Sequence, residues 1–372
     1  MQVLVTGGAG FIGSRLVSAL VSKGYTVKVL DALVEQVHGA KCRDDINLPK
    51  QVQFIHADVR DIESWRLALQ DCDVVYHLAA EVGVGQSMYN IVRYVSANTL
   101  GTANLLELLA NGEYTLKKLI IASSMSIYGE GAYRCIHCGP VEVALRPIAQ
   151  LQRAQWEPLC PHCEAVLEPV PTSESKPLRP TSVYAISKRD QEELCLTIGR
   201  AYNIPVVALR FFNTYGSGQA LSNPYTGVAA IFASRLLNQK PPLIFEDGEQ
   251  QRDFVHVSDI VQGLVLALEK ETANYEVFNI GSGIPITIKQ VAQALITAIG
   301  VDTQPEIVYK FREGDIRHCV ADISKAQKLL GFQPMVQFAD GIKELVAWVM
   351  QQTACDRIEQ AHDELSRRGL TK

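Results

Sequence analysis

The sequence predicts an α/β protein: a doubly wound parallel sheet covered by helices on both faces, joined to a smaller α/β unit and interrupted by a small cysteine-bearing insertion. Three observations point there. Near-continuous apolar strand signals alternate with helix signals through the first half of the chain. Glycines cluster between the first strand and the first helix, in VTGGAGFIG. Two CxxC pairs, CIHC from Cys135 and CPHC from Cys160, break the alternation in the middle.

The elements follow in order. QVLVTG reads as a buried strand and FIGSRLVSALVSKG as a helix ending at Gly24. TVKVLD is the second strand and VQFIHADV the third. IESWRLALQD is helical, VVYHLAA a strand, NTLGTANLLELLANG a helix and KKLIIASS a strand. The long helix VYAISKRDQEELCLTIGRAYN and the strand PVVALRFFN complete the alternation. After Asn213 the rhythm changes, with Gly and Pro clustered in GSGQALSNPYTG and NQKPPLIFEDGEQQRD. DFVHVSDIVQGLVLALEK returns to strand then helix, and TIKQVAQALITAIG is an amphipathic helix. The boundaries expected are 1–132 and 169–212 for a cofactor unit, with 252–282 rejoining it. The insertion is 133–168, the substrate unit 213–251 and 283–350, and 351–372 a charged tail forming a frayed surface helix.

Bulk properties narrow the class. A chain of 372 residues holds about two domains at roughly 100–200 residues each. Hydrophobic residues at 47% and charged residues at 20% are those of a soluble protein. A net charge of −5 argues against a general nucleic-acid binder, which carries a basic stripe. No apolar run reaches the ~18 residues that a membrane span needs. The N-terminus enters an apolar strand without a charged leader, so the expected compartment is the cytoplasm. A disulfide framework is not expected there, and Cys42, Cys72, Cys195, Cys319 and Cys355 read as ordinary thiols.

Gly7, Gly10 and Gly13 form GxxGxxG between strand and helix. Such glycines let the backbone turn tightly and approach a pyrophosphate, while the helix N-terminus supplies N–H groups and positive dipole. Asp31 ends the next strand, 18 residues past Gly13, where a carboxylate accepts hydrogen bonds from a ribose and repels a 2′-phosphate. The pattern selects NAD over NADP in a Rossmann-type fold. Asp58 ends the third strand near an adenine, or simply caps it. Leu78, Ala79 and Ala80 end the fourth with residues that let a cofactor lie close.

Tyr184 and Lys188 in YAISK lie one helical turn apart on one face. An ammonium beside a phenol, together with a positive nicotinamide ring, lowers the phenol from ~10 toward neutrality and makes it a usable base. SSMSIYG places Ser123, Ser124 and Ser126 at the C-terminal end of a strand, where open α/β sheets bind ligands. Each pattern alone is common; glycine loop, strand-end serine and YxxxK in this order are far more specific.

On these motifs the chain resembles the extended short-chain dehydrogenase/reductase family of nucleotide-sugar epimerases and dehydratases, over roughly residues 1–350 apart from the cysteine segment. The resemblance implies that TGGAGFIG, with Phe11 and Ile12, holds the phosphates, that Asp31 holds the ribose, and that Asp58 and Val59 lie near adenine. It also places Asn98 near the cofactor. Ser124, Tyr184 and Lys188 become the catalytic triad, with Tyr184 and Lys188 also touching NAD. Val82, Ser126, Asn213, Arg252 and Arg312 face the sugar nucleotide, the arginines toward its diphosphate. Dehydratases of the family carry Asp-Glu after the catalytic hydroxyl. Here Met125 and Ser126 stand there, which disfavours dehydration and, at Ser126, decarboxylation. What remains is epimerisation at C4 through a transient ketone. The serine segment and the cysteine insertion are most similar to dTDP-L-rhamnose 4-epimerases, which make dTDP-6-deoxy-L-talose. UDP-glucose or UDP-glucuronate 4-epimerase, and a catalytically silent NAD-binding regulator, are the alternatives. The family also implies a homodimer through the helices at 96–111 and 184–202.

Cys135, Cys138, Cys160 and Cys163 offer four thiolates for one closed, structural Zn²⁺ site. The 21 residues between the pairs are one beyond the usual spacing. His137 or His162 replacing a cysteine, free thiols and disulfides are the alternatives. Starting just past Ser124, the insertion is expected to fold over the mouth of the sugar site.

Overall fold

Seven parallel strands form the main sheet of the computed structural model, which describes all residues except 40–44, 353–355 and 357. Cys42 and Cys355 lie outside the described residues. The strands are β1 (Gln2–Thr6), β2 (Thr26–Asp31), β3 (Gln53–His56), β4 (Val74–His77) and β5 (Lys118–Ser124). Beyond the insertion strands β6 (Ala132–Cys135), β7 (Gly139–Val141) and β8 (Glu168–Val170) come β9 (Val206–Phe211) and, later, β13 (Val277–Ile280). Their order is β13-β9-β5-β4-β1-β2-β3. Period-two alternation sends neighbours to opposite faces. Val3 and Val5 join the core that also holds Leu16, Leu20, Ile260 and Leu264. Leu4 joins the opposite core with Trp65, Leu105, Leu109 and Leu196. Both faces are covered, so the strands read as unbroken apolar runs rather than as alternation.

The sheet order reverses between β1 and β4, so the crevice past their C-terminal ends is a ligand site by topology. Gly7 and Ala79 sit just past those ends, and Asp31 and Ser124 end the neighbouring strands β2 and β5.

The smaller unit is built on β12 (Gln251–His256), which pairs with β10 (Asn213–Tyr215), β14 (Pro285–Thr287) and β16 (His318–Cys319). The two-stranded pair β11 (Leu243–Ile244) and β15 (Glu306–Ile307) flanks it. Tyr215, Phe254, Leu295, Ile342 and Leu345 form its core. The expectation that 252–282 rejoins the main sheet needs correcting at one element. The helix Val257–Glu269 packs on that sheet's core and β13 pairs with β9, but β12 belongs to the small sheet. Of its polar start, Arg252 lines the cavity, while Asp253 is buried and accepts from the Ser282, Gly283 and Ala321 N–H groups.

In the insertion, β6 pairs antiparallel with β7 on one side and β8 on the other. Its apolar core is five residues: Tyr133, Cys135, Val143, Cys160 and Leu167.

The tail is not a frayed helix. The helix Ile358–Arg367 buries Leu365 against Gly85. Phe311 and Lys372 then exchange two backbone hydrogen bonds of 2.9 Å, and Glu313 N–H donates to the Leu370 carbonyl at 3.0 Å. The apolar residues Ile358, Ala361 and Leu365 recur along one helical face, which supplies the driving force.

Candidate active site

One cavity of about 1550 Å³ runs from the glycine loop to the small unit. At its cofactor end the backbone leaves no room for side chains. A Cβ on Gly13 would lie 2.2 Å from the Gly7 carbonyl oxygen, and one on Gly7 2.9 Å from the Ala79 nitrogen. Gly7 also has φ +68°, a conformation glycine adopts without strain. The helix Phe11–Ser22 starts here with no acidic residue in its first turn, so its N-terminal dipole is free to meet an anion. The Asp31 carboxylate accepts from the Ala9 and Leu33 N–H groups, both at 2.9 Å, which fixes it at the end of β2 facing the cavity. Asp58 lines the cavity too and is paired with Arg60 at 2.6 Å. The cradle fits a dinucleotide with an unphosphorylated ribose.

At the reactive centre, the helix Val183–Ala201 begins at Ser182, whose hydroxyl accepts from the Ala185 N–H. That cap sets the helix so that Tyr184 and Lys188 both point into the cavity while remaining buried. Ser124, at the end of β5, stands beside the Tyr184 phenol and accepts from the Ser126 N–H (3.2 Å) and hydroxyl (2.9 Å). Lys188 donates to Gln191 Oε1 at 2.7 Å. Burial pushes the Tyr184 phenol up, and the Ser124 hydroxyl opposes it. Burial pushes the Lys188 ammonium down to about 8. Burial dominates the Tyr184 phenol and Lys188 is not among the groups that shift it, so the lowering expected from Lys188 is not seen. Behind them His77 is fully enclosed and held neutral: burial and, after it, Lys188 push it down to about 3.

The structure brings the predicted residues together. Gly7, Gly10, Phe11, Ile12, Gly13, Asp31, Asp58, Val59, Leu78, Ala79, Ala80, Val82, Ser124, Ser126, Tyr184, Lys188, Asn213, Arg252 and Arg312 all line the one cavity. Asn98 does not. It sits one layer back, its side chain accepting from the Glu81 N–H (2.8 Å) and donating to the Glu81 carbonyl (3.0 Å) and Ser187 (2.9 Å). It fixes the loop after β4 to the catalytic helix. Nor does any residue of 133–168 line the cavity, so the insertion is not its lid. Gly131 N–H donates to the His318 carbonyl and Tyr133 hydroxyl accepts from the His318 N–H, which roots the insertion on the far side of the small unit.

Sequence reasoning missed several lining residues. Arg15 donates to the Ser217 carbonyl and hydroxyl, bridging the first helix to the small unit. Phe245 lies between the Arg312 guanidinium (4.8 Å) and the His362 ring (5.7 Å). Tyr225 lines the cavity and joins its hydroxyl to that of Tyr89, outside the lining, at 2.6 Å. Ile358, His362, Leu365 and Leu370 cover one side from the tail. Only the tail's apolar periodicity offered a signal.

The four Sγ atoms of Cys135, Cys138, Cys160 and Cys163 lie within 4.8 Å of one another, and neither His137 nor His162 joins the group. Cys135 and Cys163 are 3.5 Å apart, with no disulfide. A tetrahedral ion with ~2.3 Å metal–sulfur bonds places its sulfurs about 3.8 Å apart. The donors fit it. No described helix is long and apolar enough to cross a membrane.

The sequence pattern of the NAD dependent epimerase/dehydratase family matches residues 3–145 and 163–281. The interruption falls inside the cysteine insertion. The chain is 34% identical to a dTDP-L-rhamnose 4-epimerase of Burkholderia thailandensis, over 94% of this chain and 95% of that protein. Its fold is similar to that of UDP-glucose 4-epimerase from Thermotoga maritima, solved with UDP-glucose (TM-score 0.77, 32% identity, 94% and 99% of the two chains). It is equally similar to UDP-glucuronic acid 4-epimerase from Bacillus cereus, solved with UDP-glucuronic acid and NAD (TM-score 0.77, 31% identity, 94% and 99%).

Proposed function

The chain belongs to the NAD dependent epimerase/dehydratase family and is one of its NAD-dependent nucleotide-sugar epimerases; from that premise we propose that it inverts C4 of dTDP-L-rhamnose to give dTDP-6-deoxy-L-talose. The observation that carries the reaction type is the wall beside Ser124. Ser124, Tyr184 and Lys188 share one cavity, and the next two lining residues are Met125 and Ser126, with no carboxylate for dehydration. The sugar is chosen from the 34% identical relative and from the uncharged stretch Val82–Val84 with Met88, which suits a deoxy sugar. UDP-glucose and UDP-glucuronate are the competing substrates.

In this reading residues 1–132 and 169–212 carry NAD, and the small unit with Asn213, Arg252 and Arg312 carries the sugar nucleotide. NAD⁺, held through the glycine cradle and Asp31, would accept the C4 hydride and give the same hydride back to the ketone, and would bring a positive ring charge. Tyr184 takes the proton of the C4 hydroxyl. Ser124 hydrogen-bonds the reacting oxygen, and Lys188 holds the nicotinamide ribose. The 4-keto sugar turns over in the cavity, and Tyr184 returns the proton to the alcohol of opposite configuration. Product NMR on a panel of dTDP- and UDP-sugars tests this. A C4-inverted dTDP-6-deoxy-L-talose supports it; turnover of UDP-glucose or UDP-glucuronate alone overturns the choice of sugar.

Cys135, Cys138, Cys160 and Cys163 hold one structural Zn²⁺ in this proposal, because a five-residue core is too small to fold unaided. The unit expected in solution is a homodimer. Leu100, Ile186 and Leu194 are exposed on the segments 96–111 and 184–202 that the family pairs, and Ile91, Val92 (80% exposed) and Val95 are exposed on the helical turns that lead into the first of them. Val92→Asp is expected to give monomers in sedimentation equilibrium.

A further inference from the structure

We infer that Arg146 is a positioning residue that carries the order of the cysteine insertion to the nucleotide wall of the cavity; this rests on the metal reading above. Arg146 comes from the insertion and its side chain is only 2% exposed. Its two terminal nitrogens clamp the Glu246 carboxylate, each at 2.9 Å. The same nitrogens donate to two carbonyls, Trp156 at 2.8 Å and Asp315 at 3.1 Å. Trp156 is four positions before Cys160 and belongs to the insertion. Glu246 and Asp315 line the substrate cavity. One guanidinium therefore joins both bodies through a planar fork that a lysine cannot reproduce.

A second cation closes the circuit. Arg317, with a side chain 1% exposed, binds Glu157 of the insertion at 2.6 Å and, from the small unit, Glu246 at 3.0 Å and Asp247 at 2.6 Å. The carbonyls of Arg317 and Ile316 in turn accept from Arg252, at 2.8 and 2.7 Å. The predicted diphosphate ligand is thus held by the backbone that the insertion's carboxylate fixes. Glu246 itself has φ +55°, the left-handed region, for which a side chain needs compensation; its pair of arginines provides it. Glu157 is three residues from Cys160, and the turn between them is pinned by Leu167 N–H donating to the Pro158 carbonyl at 3.0 Å. A metal on the four sulfurs would hold this turn, the turn holds Glu157 and Trp156, and these hold the two arginines. No residue of 133–168 reaches the cavity directly.

The test is a cycle of two perturbations on the NAD-loaded enzyme: Arg146→Met, and removal of the metal with a chelator. Metal and NAD content, kcat, KM and the calorimetric Kd for dTDP and for UDP are measured in all four states. Arg146→Met is expected to keep its metal and NAD and hold kcat within about threefold. KM and the nucleotide Kd rise about tenfold or more, because a buried carboxylate has lost one of its two arginines. Stripping the metal from wild type raises KM by a similar factor, and stripping it from Arg146→Met adds little more. Multiplicative effects of the two perturbations overturn the inference, as does wild-type nucleotide affinity in Arg146→Met. Joint loss of NAD and kcat in the variant also overturns it, since that marks a general structural role. Arg146→Lys, which keeps the charge and loses the fork, carries the same measurements if the methionine variant does not fold. A wild-type enzyme without metal sinks the metal reading alone, and the Arg146 arm still decides the link to the nucleotide.

Discussion

Strand β1 and the cysteine insertion are held in place by different forces. Val3, Leu4 and Val5 are completely buried between two apolar cores, and the glycine loop that follows is fixed by backbone contacts of Gly7, Gly13 and Ala79. The insertion has only a five-residue apolar cluster of its own, with Leu151 and Trp156 packed on Phe311, and carries besides these four thiols and ion pairs made by Arg146, Glu157 and Arg317. The first kind of support is indifferent to metal and nearly so to pH; the second is built from titratable groups and, in the zinc reading proposed above, would depend on metal as well. The cofactor end of the cavity stands on the first and the nucleotide wall on the second. Conditions that reach the insertion should therefore change substrate affinity before they change cofactor binding.

The largest separation of the two regions is expected at Tyr184. Tyr184→Phe removes the acid/base hydroxyl and little volume, so kcat should fall by ~10²–10⁴ while NAD and metal stay bound. Residual kcat above a tenth of wild type would remove Tyr184 from its role. Next comes Gly13→Ala. Its methyl would meet the Gly7 carbonyl at 2.2 Å, and overpacking of about 1–3 kcal/mol should weaken NAD roughly 5–150-fold with metal content unchanged. An unaltered NAD Kd by calorimetry would mean that the loop yields easily. Cys160→Ser perturbs the other region. It should lose about one zinc per chain by elemental analysis and raise KM several-fold, with NAD still bound. Loss of NAD together with zinc would abolish the contrast between the regions.

The smallest effect concerns pH. Burial raises the Glu157 carboxyl, but hydrogen bonds and charge from His318 and Arg317 outweigh that and hold it at about 2, below the ordinary 4.5. A depressed carboxyl stabilises the folded state fully above its unfolded value and loses that contribution as pH falls from about 4.5 to about 2. Glu157→Gln should flatten this part of the acid-unfolding curve of the insertion, followed by Trp156 fluorescence, without moving NAD release. Identical curves for the two proteins would assign the acid sensitivity to the thiolates alone.

Much of the cofactor end was readable because its information is local. VTGGAGFIG, Asp31 and YAISK each declare their geometry within a few residues, and the strands that carry them are buried on both faces. The nucleotide wall is different. Glu130, Arg146, Glu157, Glu246 and Arg317 meet from segments up to 187 positions apart, and each alone looks like a surface charge. The direction taken by the insertion was likewise hidden. Its nearness to Ser124 in sequence suggested the cavity mouth, but Gly131 and Tyr133 bind His318 and turn the chain away. Asn98 was placed in the right neighbourhood but one layer too close, since a side chain that braces Glu81 and one that touches a ligand give the same sequence.

The root of the insertion is two neighbouring strands, with Ala132 opposite Val170. Its ends are therefore already side by side, and lengthening the chain between them hardly delays their meeting. The 54 residues between Tyr128 and Val183 would be 18 without 133–168. Because closure entropy grows only with the logarithm of length, that threefold difference costs about 1 kcal/mol. A segment attached this way is an inexpensive graft in conformational terms, able to enter or leave a lineage without rebuilding the sheet. What it cannot leave without consequence is charge: Glu246 would remain behind with one arginine in place of two.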